Sequence, residues 1–263
     1  MRRAYIDTPQ GQIHYRTEGN GEPVLLLHNG GLTSDEYTEM LPFIGRSYQA
    51  IAMDILGYGN SDMPSREPQL TEYVQNIIYF LDALKIKQTT IVGHLLGASF
   101  AVEIAAVYPR RVNNLVLWDC VYLEPEIQKQ VQDEYRKAHM EFKEDGSHLI
   151  DLWKSHKPKS SVNLGMVQRS VVECLKSGLG QSDGVSHRAL FAYDVEPKLS
   201  KIQSQTLLLY SRQSPLFHRL EAVRRLIPMC QTRTIEDAGS FPFWEKPEEL
   251  SQLIMDFLQS KKI

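Results

Sequence analysis

The sequence predicts an α/β protein: a mainly parallel central sheet flanked by helices, with one helical insertion. Three observations predict it. Continuous apolar runs such as Val24-Leu25-Leu26-Leu27 alternate with stretches of helical period, the pattern of βαβ units whose strands are covered on both faces. The run Thr89-Thr90-Ile91-Val92 enters a tight turn bounded by Gly93 and Gly97, and a helical pattern follows at once. From Val121 to about Pro197 the alternation stops and only helical patterns remain.

Taken in order, Gln12 to Arg16 reads as a first strand after the turn at Pro9-Gln10-Gly11, and Val24 to Leu27 as a buried strand that stops at His28-Asn29-Gly30-Gly31. Ser34-Asp35-Glu36 opens a helix toward Leu41. Tyr48 to Met53 is the next strand. Val74, Ile77, Ile78, Leu81 and Leu84 follow the 3.6-residue period of an amphipathic helix that starts at Leu70. The Ile91 strand, a helix from Leu95 to Tyr108 stopped by Pro109, and a strand over Leu115 to Trp118 complete the first half. Helices are expected over Glu124–Phe142, Ser147–Trp153, Val162–Leu175 and Ser186–Tyr193, with breaks at 156–161 and 178–180. The sheet resumes at Thr206 to Tyr210. A helix after Pro215, a short strand near Thr232 to Ile235 and a closing helix over Pro247–Leu258 end the chain.

Composition narrows the function classes. The 263 residues carry 23% charged side chains and a net charge of −3, which argues against disorder and against nucleic acid as a partner. No apolar stretch has membrane-span length, and Arg2 and Arg3 have no apolar run behind them, so neither a membrane partner nor a signal peptide is expected. Cys120, Cys174 and Cys230 have no metal-ligand spacing and form no disulfide framework. A cytoplasmic setting, with no metal and no cofactor, is the expectation.

Four motifs in one order make the chain resemble the α/β-hydrolase superfamily: His28-Asn29-Gly30-Gly31; Asp54, Gly57, Gly59 and Ser61; Gly93 to Gly97; and Gly239-Ser240 through Glu245 and Pro247. The resemblance implies a hydrolase-fold core over 1–121 and 198–263 under a helical cap over 122–197. It also implies that the nucleophile position holds Leu95, the acid position after the Tyr210 strand holds Ser214, and the histidine position holds Ser240. A Ser-His-Asp mechanism needs an oxygen nucleophile, a base and an orienting acid, and the resemblance leaves all three places filled by other residues.

Other groups then become candidates. His28 and His94 are possible acids or bases, although both are also read as structural histidines. Asp119 ends the Trp118 strand, and Cys120 beside it reads as a buried, inert thiol. Ser99 stands one turn beyond Leu95 on the wrong face. His187, Tyr193 and Asp194 belong to the cap. The resemblance places oxyanion-type backbone donors at Gly30, Gly31, Leu32 and Leu96. Asn29, Tyr58, Leu95, Trp118, Tyr122, Phe241 and Trp244 are expected to line a largely apolar pocket for an apolar, oxygen-bearing small molecule. The expected function is a non-hydrolytic enzyme promoting a cyclisation, rearrangement or elimination, in a setting of specialised-metabolite biosynthesis. The alternatives are an inactive ligand-binding or partner protein, and a hydrolase using a substitute nucleophile or base.

Overall fold

The structure is a computed structural model; it describes residues 1–137, 143–157, 163–176, 181–237 and 241–260. Eight strands form one sheet: β1 (Arg2–Thr8), β2 (Gly11–Glu18), β3 (Pro23–Leu27), β4 (Gln49–Met53), β5 (Thr89–His94), β6 (Val112–Trp118), β7 (Gln205–Ser211) and β8 (Cys230–Ile235). Their order across the sheet is β1-β2-β4-β3-β5-β6-β7-β8. The β1–β2 and β2–β4 pairs are antiparallel and every later pair is parallel.

The helices are α1 (Leu41–Ile44), α2 (Leu70–Ala83), α3 (Leu96–Val107), α4 (Pro125–Lys137), α5 (Ser147–His156), α6 (Leu164–Leu175), α7 (Gln181–Phe191), α8 (Glu196–Leu199), α9 (Leu220–Leu226), α10 (Pro242–Glu245) and α11 (Pro247–Gln259). The apolar runs have a simple cause. Alternate residues of β3 enter different cores: Leu25 and Leu27 pack with Tyr73 and Phe100 of α2 and α3, while Val24 and Leu26 pack with Leu250 and Phe257 of α11. A strand buried on both faces has no position for a polar alternation.

The segment between β6 and β7 holds α4 to α8 and, among its described residues, no strand. It is fastened to the sheet layer by charge. Arg169 of α6 reaches Asp35 at 2.5 Å and Glu39 at 2.7 Å, and its guanidinium lies 4.4 Å from the Trp244 ring centroid. Arg188 of α7 pairs with Glu67 at 2.7 Å.

Two details differ from expectation. β1 is an edge strand whose side chains alternate only between exposed and half-buried, so its sequence carries little apolar signal. The helix expected from Ser34 is a single 3₁₀ turn over Ser34–Tyr37, capped by the Thr33 hydroxyl, followed by the four-residue α1. Asp35 and Glu36 turn inward there, and their buried side chains require partners that a continuous solvent-facing helix would not supply. The first insertion helix is described over Pro125–Lys137; the remainder of its expected span, 138–142, lies outside the described residues.

Candidate active site

The topology places a site before any side chain is considered. Chain order runs from β3 outward to β4, then crosses back to β5 on the other side of β3, so the direction of winding reverses between β3 and β5. In open α/β sheets ligands bind at the carboxyl ends of the strands at such a switch point. Leu27 and Gly93 pair at the ends of these strands, and the residues that follow them, Asn29 to Leu32 and His94 to Leu95, wall a cavity of about 620 Å³.

The turn after β5 is sharp. Leu95 has φ 48° and ψ −106°, a conformation that a side chain larger than glycine adopts only with strain. A Cβ at Gly93 would run into the Gly97 carbonyl, and one at Gly97 into the Leu27 carbonyl. Both glycines are therefore required by close approach of β3, β5 and α3, whatever residue stands at the tip.

Beside Leu95, His94 forms a buried pair. Its Nδ1 lies 2.5 Å from Glu36 Oε1, and the other Glu36 oxygen accepts the Asn29 backbone N–H at 2.8 Å. Glu36 is fully buried, while His94 keeps 6% exposure and borders the cavity. The Trp118 ring lies under the imidazole, with centroids 4.4 Å apart. With Nδ1 donating to the carboxylate, Nε2 is the nitrogen left to act, and it makes no hydrogen bond among the described residues.

On the neighbouring strand, whose last residue Trp118 pairs with His94, Asp119 follows β6 in a positive-φ conformation of 46°. Burial pushes its carboxyl up to about 6, against the opposing effects of His94, the Ser211 amide and the Ser214 hydroxyl. Its Oδ1 accepts the Ser211 N–H at 3.2 Å. Ser214 thus stands beside Asp119. Cys120 is fully buried, and burial together with the Asp119 charge pushes its thiol up to about 12, so it stays protonated and unreactive.

The remaining candidates separate clearly. His28 is a structural residue: Nδ1 donates to the Asn29 carbonyl at 2.7 Å and Nε2 accepts the Ile55 N–H at 3.0 Å. Burial lowers its pKa, which leaves both nitrogens committed on a neutral ring. Gly30 and Gly31 border the cavity, and His187 of α7 stands over Gly30, where an added Cβ would lie 2.8 Å from its Cε1. Leu32 also borders it, but its N–H turns to the Asn29 carbonyl at 3.2 Å, closing the turn rather than facing a ligand. Leu96 opens α3. Asn29, Leu95 and Phe241 border the cavity.

Four expected lining residues stand elsewhere. Tyr58 bonds Ser186 and packs on His28. Trp118 is fully buried beneath His94, Tyr122 donates to Glu196, and Trp244 donates its indole N–H to the Asp35 carbonyl. Ser240 lies outside the described residues. In place of those aromatics, Ser155, His156 and Ser170 from α5 and α6 border the cavity, and Ser211, Gln213 and Ser214 form its β7 side. His156 Nδ1 is 2.7 Å from the Ser170 hydroxyl. Glu36 and these insertion residues escaped sequence reasoning. Glu36 reads there as part of a helix start, and 156–161 as a break between helices.

Comparison with known proteins bears on this arrangement. A 2-hydroxy-6-oxo-6-phenylhexa-2,4-dienoate hydrolase of Comamonas testosteroni is 25% identical over 95% of this chain and 92% of its own. A hydrolase of the same name from Burkholderia cepacia is 27% identical over 94% and 91%. Among solved structures, a hydrolase from Pseudomonas aeruginosa superposes with a TM-score of 0.83 at 19% identity, covering 98% of both chains. The Thermogutta terrifontis esterase does so with a TM-score of 0.81 at 20% identity over 99% of both. These two establish likeness of fold. The aligned relatives are hydrolases along nearly their whole length, and this overturns the expected non-hydrolytic cyclisation, rearrangement or elimination. Among the described residues no helix is long and apolar enough to cross a membrane. The alpha/beta hydrolase fold profile matches residues 22–247, and with the eight-stranded sheet, the turn at Leu95 and the relatives just described, the chain belongs to the α/β-hydrolase fold family.

Proposed function

We propose that this protein is a hydrolase that delivers water directly to a carbonyl carbon, with His94 as general base. The carrying observation is the His94–Glu36 pair at the cavity floor, next to the turn where the family resemblance calls for a nucleophile and Leu95 stands instead. Leucine has no atom able to form an acyl intermediate, so the attacking oxygen must come from water. His94 Nε2 takes the water proton as the oxygen bonds to the carbonyl carbon. Glu36 holds the ring in the correct tautomer and stabilises the imidazolium that forms.

The carbonyl oxygen becomes an oxyanion. The amides of Gly30, Gly31 and Leu96, at the ends of β3 and β5, are the donors assigned to it. As the tetrahedral carbon collapses, the bond to the leaving group breaks and the leaving oxygen or carbon takes a proton. Asp119, whose carboxyl is raised to about 6, is the acid assigned to that step. Two groups with split environments, one a base oriented by a carboxylate and one a carboxyl whose hold on its proton burial has raised, divide the proton transfers between them.

The test is hydrolysis by wild type, His94→Gln and Glu36→Gln, using the dienoate of the relatives and a panel of small esters. His94→Gln is expected to lower kcat by about 10²–10⁴ while the protein stays folded. A serine-directed acylating probe should leave the wild type unlabelled. Full activity in His94→Gln would overturn the base assignment. A wild type that binds panel members and returns them unchanged would overturn hydrolysis in favour of a binding protein.

A further inference from the structure

The cavity wall carries information about what enters it. Its polar side chains include neutral hydrogen-bonding groups on facing sides: Asn29, Gln213 and Ser214 from the sheet loops, Ser155 and Ser170 from the insertion. Each is a hydroxyl or an amide able both to donate and to accept. The acidic group among the described lining residues is Asp119, and none of those residues is a lysine or arginine.

Several cations of the surrounding elements are already paired, while Lys154 and Lys157, beside the lining residues Ser155 and His156, are exposed to solvent. Arg169, one residue from Ser170, is clamped between Asp35 and Glu39. Lys176 pairs with Glu173, Arg188 with Glu67, and Arg212, next to Gln213, with Glu236. Freeing any of these to meet an anionic ligand would leave a carboxylate unpaired. An incoming carboxylate would also face the Asp119 carboxylate, and bringing like charges together disfavours binding.

We infer that this site takes a neutral, multiply oxygenated acyl compound, a polar ester or lactone bearing hydroxyl or amide groups, and discriminates against carboxylates. The inference deepens the hydrolase reading and rests on it for the ester or lactone bond. Recognition itself depends only on the wall. Hydroxyl and amide groups on the ligand meet the wall groups, and an analogue without them forgoes those hydrogen bonds. An anionic dienoate, the compound in the relatives' names, satisfies neither the charge nor this pattern.

The experiment compares matched pairs: short hydroxylated methyl esters and their free acids, and the dienoate beside its methyl ester. Binding is read at pH 8 by ligand-observed NMR competition and thermal shift, and turnover is read separately. Neutral members are expected to bind tighter than their acids by roughly tenfold or more. In Asp119→Asn that gap should shrink several-fold, with thermal melting used to confirm the fold. Equal binding of ester and acid, preference for the acid, or binding of neither overturns the inference. Selective binding of the esters without turnover leaves it standing and removes the hydrolase reading instead, so the two fail separately.

Discussion

Two histidine–carboxylate neighbourhoods lie within the same loop layer, and they are built to opposite ends. Around His28, every valence is occupied: both ring nitrogens have backbone partners. Nearby Asp54 accepts from His14 at 2.8 Å, from the Ser34 amide at 2.7 Å and from the Asn60 amide at 2.9 Å. Burial alone would raise the Asp54 carboxyl, yet these donors hold it down at about 2. Around His94, one nitrogen is bonded and the other borders the cavity. Asp119 is buried with fewer donors, and burial prevails, raising it to about 6. The same residue type at the end of a strand moves in opposite directions because donor count, not burial, differs. A carboxylate with its full complement of donors is a fastening. One left short of donors holds its proton to a higher pH.

The comparison can be broken in graded steps. The largest effect is expected from His94→Gln on kcat, about 10²–10⁴, with little loss of stability; His28→Gln should do the reverse, lowering the melting temperature while the folded fraction keeps its rate. Stopped-flow or steady-state assays beside thermal melts separate the two. Next comes Asp54→Ala, which leaves His14 and two amides without their acceptor. A loss of about 3–5 kcal/mol in urea unfolding is expected, with the active-site cavity unaltered in the folded fraction.

The pH dependence then sharpens the contrast, and the two carboxylates have opposite signs. Asp119 ionises at about 6 in the fold against 3.8 in the unfolded chain, so between those values the native state holds a proton that the unfolded state has released. Stability therefore falls as pH rises from about 4 through about 6, by about 3 kcal/mol. Asp119→Asn should abolish that decline, so the variant gains on the wild type above pH 6 and not below pH 4. Asp54 at about 2 works the other way: its contribution, about 2 kcal/mol, is present above 3.8 and is lost as pH falls through about 2. Urea midpoints across pH read both. The smallest effect is expected from Leu95→Ser. An added hydroxyl without a base positioned for it is a weak nucleophile, so no burst of leaving group should precede the steady state. A burst would show that His94 already serves that position.

Much of the architecture was legible in local patterns. The apolar runs of β3, β5, β6 and β7 announced strands covered on both faces, because no polar residue interrupts them. The glycines at 93 and 97 announced the tight turn, since any Cβ there meets backbone. The site was only partly legible. Leu95, Asn29, His94 and Asp119 stand on or beside strand ends that periodicity locates. The aromatic lining was misread because hydropathy assigns a residue to the interior without saying to which part of it. Trp118 and Trp244 are interior, but they serve as floor and fastening.

Periodicity and sterics over a few residues set the order of the buried strands, the helical stretch between β6 and β7 and the turn at Leu95. Only the tertiary structure decided which histidine faces the cavity and what each carboxylate does. Glu36 and His94 are 58 residues apart in the chain, and Asp119 meets Ser211 from 92 residues away. A proton's affinity is set by the donors and charges that folding gathers within a few ångströms, and those come from segments that carry no mark of one another in the sequence.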